Sequence, residues 1–172
     1  MLEALIFVVF PFCMVFAAVS DMLSMTIANR VSLLLVASFV VIAPLTGMGW
    51  TDLGWHLVAG ALMLSLTFTL FAVGGMGGGD AKLMAATAVW MGFDTALVQY
   101  LVVASVIGGL LTLAILMFRS SMLAPITRTN IFLRHFADEK TGIPYGIALG
   151  IGGLMTYPQT PLMVWALERL ST

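Results

Sequence analysis

Charge is what this sequence has least of. Only 9% of its 172 residues are Asp, Glu, Lys or Arg, where a soluble domain carries about a quarter. With 61% hydrophobic residues and a mean hydropathy of +1.10, the composition excludes an ordinary soluble domain and indicates an integral membrane protein. The few bases are spread along the chain, so the net charge of -1 carries no nucleic-acid footprint. Cysteine is nearly absent: Cys13 alone cannot close an internal disulfide or build a Cys-rich metal site. In its apolar run it reads as a small buried packing residue. The two histidines, His56 and His135, lack ligand spacing, so no metal and no cofactor are expected. A basic n-region is also missing, since Glu3 is the only early charge. Residues 2–20 therefore read as a retained first span, although Ala17-Ala18-Val19-Ser20 resembles a cleavage site.

What is present is a series of apolar runs, each to be compared with the roughly 20 residues that a membrane span needs. Leu2–Ser20 qualifies, with Pro11 placed to kink it. Val31–Gly47, Leu53–Val73 and Thr95–Phe118 follow, the third run entered through Trp55 and His56, residue types that suit an interface. Thr141–Tyr157 is the last, closed by Pro158 and Pro161. Between them Ala81–Phe93 is only thirteen residues long. As a helix it reaches about 20 Å against a hydrocarbon core of about 30 Å. Either it spans with a flanking aspartate below the membrane surface, or it is re-entrant. The expected fold is one all-α domain over 1–172, a bundle of about six transmembrane helices. Pro161–Leu170 is expected as a short interfacial helix.

With six spans, Arg30, Lys82, Arg119, Arg128, Arg134 and Lys140 fall on one side and Arg169 alone on the other. That bias predicts that the basic side is cytoplasmic. The basic loop Arg119–Lys140, carrying Ile131, Phe132, Leu133 and Phe136, reads as a segment lying on anionic lipid.

The same count pairs two acids. Glu3, Asp52, Asp94 and Glu168 fall at far-side ends, and Asp138 and Glu139 lie in the basic loop. Asp21 and Asp80 are separated by two complete spans, so both return to the cytoplasmic side. Acids at the ends of apolar spans suggest function, and two carboxylates sharing a site can hold one proton between them and activate a water. Asp80 ends the run Gly74-Gly75-Met76-Gly77-Gly78-Gly79-Asp80, which holds five of the seventeen glycines. Glycines permit unusual backbone and close approach of a second chain. Simpler readings stand beside these. Asp80 could be the N-cap of a helix starting at Ala81, Asp21 a turn residue beside Ser20 and Ser24, and the glycines a helix-packing surface. A phosphate loop is excluded by the missing Gly-Lys-Ser/Thr ending.

Gly77-Gly78-Gly79-Asp80 followed by Lys82 resembles the Gly-x-Gly-Asp signature of intramembrane aspartic proteases. The longer stretch to Leu83 is similar to the prepilin (type IV leader) peptidase branch. The presenilin branch would carry Tyr-Asp where this chain has Val19-Ser20-Asp21. Asp21 followed by Ile27-Ala28-Asn29 is similar to that family's first aspartate and its Ile-Pro-Asn. Ile143-Pro144-Tyr145-Gly146 resembles the Pro-aromatic-Gly that opens a late span. The resemblance implies a catalytic pair Asp21 and Asp80, supported by Gly77, Gly79, Lys82, Asn29, Pro144 and Tyr145. It implies an endopeptidase of the bacterial inner (plasma) membrane that removes basic leaders from prepilins or pseudopilins at the cytoplasmic face. The chain lacks the paired Cys-x-x-Cys of large bifunctional members and looks like the short Flp/Tad-type form. Two rivals remain open at this level: a small ion- or proton-coupled transporter, and a non-catalytic assembly subunit in which the aspartates only cap helices.

Overall fold

The computed structural model describes residues 1–121 and 142–171. Of the expected membrane-lying loop Arg119–Lys140, residues 122–140, with Arg128, Arg134, His135 and Lys140, lie outside the described residues, as does Thr141. Seven α-helices and no strand are found among the described residues: α1 Leu2–Ser24, α2 Asn29–Leu45, α3 Trp50–Ala72, α4 Gly78–Met91, α5 Thr95–Arg119, α6 Gly146–Thr156 and α7 Pro161–Ser171. A 3-10 turn, Tyr157–Gln159, joins the last two. The protein is an all-α membrane bundle of about six helices. Of these, α1, α3 and α5 are long and apolar enough to cross a bilayer, and α2 is a shorter apolar helix. Their outer faces expose Phe12, Phe16, Leu62, Val102, Leu110 and Leu113, as expected for surfaces solvated by lipid.

The short helix α4 is the centre. Ten of its fourteen residues are buried, and α2, α3 and α6 all pack on it. A helix apolar all round belongs inside a bundle, and protein rather than lipid satisfies its ends. It runs antiparallel to α3. Thr67 Oγ1 donates to the Ala81 carbonyl at 3.2 Å, and His56 Nδ1 meets the Val89 carbonyl at 2.8 Å. These contacts sit near opposite ends of α4, so the chain traverses the bundle and the re-entrant reading is set aside. Gly60 lets the two helices close, because a Cβ there would lie 2.3 Å from Val89 Cγ2.

His56, near the start of α3, is buried, bonded to Val89 and tilted against Phe39 with ring centroids 4.9 Å apart. Three expectations are corrected. The glycines 74–77 are not a helix-packing surface, since they form the turn between α3 and α4, with Gly74 at φ 78°. The first span runs a full turn beyond Ser20, to Ser24, with Pro11 inside it. The fourth starts at Gly78 rather than Ala81. Cys13 is buried among apolar neighbours, as its context predicts.

One end of the bundle is closed by aromatics. Phe10 stacks on Tyr157 at 4.3 Å and tilts against Trp90 at 5.2 Å. Trp90 Nε1 donates to the Leu35 carbonyl at 2.9 Å, and Tyr157 Oη donates to the Ile6 carbonyl at 2.6 Å. These ties fix α1, α2, α4 and the end of α6 to one another. The opposite end carries the glycines and both candidate aspartates.

Candidate functional site

Asp21 lies in the last turn of α1, and its backbone carbonyl accepts from Met25 N at 2.9 Å. It is therefore a helical residue and not the turn residue of the simpler reading. Met25 then takes a left-handed conformation, φ 54°, and the chain reverses towards α2. Ser20 Oγ donates to the Thr26 carbonyl at 2.9 Å and Ser24 Oγ to the Ser20 carbonyl at 2.7 Å. An uncommon backbone conformation for a non-glycine residue is thus braced by two side-chain hydrogen bonds.

Asp80 is the third residue of α4, and Gly77 is the N-cap. The N-cap reading of Asp80 is corrected accordingly. Its carboxylate turns back over Gly77, where a Cβ would lie 2.7 Å from Oδ2. Asp80 Oδ1 is buried and has no hydrogen-bond partner among the described residues. Such an unpaired oxygen is costly and commonly marks a functional site or an ordered water. Gly79 sets how closely α4 approaches the α1–α2 turn: a Cβ there would lie 3.1 Å from Ile27 Cβ and 3.3 Å from Ile27 N.

These features bring the two acids together. Asp21 and Asp80 line one cavity of about 260 Å³, along with Met25, Thr26, Ile27, Gly77, Gly78 and Gly79. That space admits several waters or a strand of peptide backbone. Asp21 is only 5% exposed, and Gly146 N–H donates to its Oδ2 at 2.7 Å. Gly146 is the first residue of α6, so a helix N-terminus with free amide hydrogens is aimed at a carboxylate. The fit depends on glycine, since a Cβ at 146 would lie 2.9 Å from both Asp21 Cβ and Oδ2.

The remaining candidates sit beside the cavity. Pro144 is buried just before α6. The ring of Tyr145 presses on Gly108 of α5, where a Cβ would come within 2.3 Å of it. Both residues orient the N-terminus of α6. Lys82 is directed elsewhere: its Nζ donates to Asn29 Oδ1 at 2.9 Å, tying the starts of α4 and α2 together at the surface. Sequence reasoning missed the role of the Gly146 amide, because a main-chain donor has no residue-type signal. No group of three or more potential metal-ligating side chains occurs among the described residues.

Fold and cavity together define a helical membrane protein with two acids at one end of its core. A family model described as the type IV leader peptidase family matches residues 8–113, and the chain belongs to that family. The match takes in both aspartates and the whole of α4. No curated protein and no solved structure matches the chain. Family membership makes this a membrane peptidase and favours that class over a transporter or a passive assembly subunit.

Proposed function

We propose that the protein is an aspartic endopeptidase that removes the basic leader from Flp-type prepilins at the cytoplasmic face of the bacterial inner membrane. The observation that carries this reading is the shared cavity: two acids 59 positions apart in the chain line one pocket at the end of an apolar bundle. Two carboxylates in one site hold a proton jointly. The ionised one takes a proton from a water, and the resulting hydroxide attacks the scissile carbonyl. The protonated partner gives its proton to the carbonyl oxygen, forming a tetrahedral gem-diol. Collapse of that intermediate breaks the C–N bond as the protonated carboxyl donates to the leaving amine and the ionised one takes a proton from a gem-diol hydroxyl, which restores the single shared proton. Asp21 and Asp80 exchange base and acid roles across the cycle. Gly146 keeps the Asp21 carboxylate in place, and the glycines beside Asp80 leave room for an extended substrate backbone. Arg30, Lys82 and Arg119 gather at the same end, which supports a cytoplasmic placement.

The test is co-expression with a candidate prepilin, following leader removal by mass. Wild type should release the leader, and Asp21→Asn and Asp80→Asn should each abolish release. Continued cleavage in both variants would overturn the dyad.

A further inference from the structure

A second cavity, of about 550 Å³, opens on the side of the bundle between α2, α3 and α4. Its floor is made by small residues, Gly60, Ala61, Ala85 and Ala86, and its walls by Leu33, Val36, Leu57, Leu64 and Val89. Its mouth carries Arg30 and Lys82, with Asn29 next to Arg30 in the chain and bonded to Lys82. From that mouth, Val36 and Val89 lie about 10 Å further along their helices at 1.5 Å per residue. The groove is thus basic at the surface and apolar below it.

Ser32, two residues along α2 from Arg30, also lines the groove, but its Oγ is shielded and has no hydrogen-bond partner among the described residues, and the same holds for Tyr100 Oη in α5.

We infer that this groove binds one acidic phospholipid, with its phosphate between Arg30 and Lys82 and an acyl chain on the Ala/Gly floor. Size favours a flexible chain over a helix. One helical turn with side chains, about 11 Å across and 5.4 Å long, already fills roughly 500 Å³, so the groove could hold no more than a single turn of a peptide span. Charge favours an acidic head, because each base near an anionic headgroup strengthens binding about fivefold. The lipid would wedge between α2 and α4 beside the Lys82–Asn29 tie.

The purified full chain is released from detergent by native mass spectrometry after exposure to phosphatidylglycerol, to phosphatidylcholine, or to phosphatidylcholine with inorganic phosphate. One retained phosphatidylglycerol is expected, preferred over phosphatidylcholine, with that preference falling about fivefold in Arg30→Gln. Ala61→Trp, which fills the floor, should remove the adduct altogether. In parallel, a photo-crosslinking residue replaces Leu57 in membranes that also contain a prepilin, and a lipid-mass adduct is expected. The inference is overturned by equal retention of the two lipids, by adducts unchanged in both variants, by displacement of lipid with inorganic phosphate, or by crosslinks to a prepilin or a second copy instead of lipid.

Discussion

Replacing Gly146 with alanine probes how the site is assembled without touching either acid. The new Cβ would lie 2.9 Å from Asp21 Cβ and Oδ2 and 2.8 Å from Ile27 Cδ1, closer than such atoms sit without movement. Either α6 withdraws or the Asp21 side chain rotates, and both break the 2.7 Å bond from Gly146 N to Oδ2. A hydrogen bond to a charged group is worth about 1.5–3 kcal/mol. If the bond serves to orient Asp21 in the reaction, cleavage should fall about 10- to 100-fold. Crowding adds a fold-stability cost of about 1–3 kcal/mol, so a control must separate packing from orientation. Gly152→Ala supplies it, in the same helix and about 9 Å along its axis. There a Cβ would meet Ala104 Cβ at 3.1 Å, far from the acids. The assay is prepilin cleavage per folded molecule, with the folded fraction taken from thermal unfolding in detergent. Gly146→Ala should lose specific activity while Gly152→Ala loses only stability. Equal specific activity in wild type and Gly146→Ala would refute the argument, as would an equal loss in both variants.

Three further outcomes follow from the packing. Gly79→Ala pushes α4 off the Ile27 backbone, so it should cost about 1–3 kcal/mol and slow cleavage; a fully active, fully stable variant would show that the close approach is dispensable. Trp90→Ala empties the centre of the aromatic cluster and removes a bond to the Leu35 carbonyl, for a loss of about 3–5 kcal/mol in thermal or denaturant unfolding; Trp90→Phe should recover most of it, and equal losses in the two would mean that ring packing contributes little. Lys82→Met removes an exposed bond to Asn29, so stability should change by no more than about 1 kcal/mol and cleavage by less than about tenfold; a loss as complete as that of Asp80→Asn would give Lys82 a direct part in the chemistry.

Much of the architecture is legible from hydropathy because lipid imposes a one-dimensional rule: each span must be apolar over its length. Helix ends are less legible. Asp21 reads as the end of an apolar run, yet α1 continues to Ser24 because the serines and Thr26 satisfy one another after it. Gly78 and Gly79 read as loop, yet they are helical because Gly79 must fit against Ile27. The burial of His56 is not legible either, because its partners, the Val89 carbonyl and the Phe39 ring, come from other helices.

By itself, then, the sequence determined that this is a membrane protein of about six helices, with Asp21 and Asp80 returned to one end. Counting alternating spans settles which end a residue occupies and needs no knowledge of packing. The tertiary structure decided everything lateral: that α4 is central, that both acids line one cavity, that a main-chain amide holds Asp21, and that Lys82 turns to Asn29. Those outcomes rest on glycine notches at positions 60, 79, 108 and 146, each shaped to a neighbour from another part of the chain. Such close approaches leave no periodicity for a sequence to display.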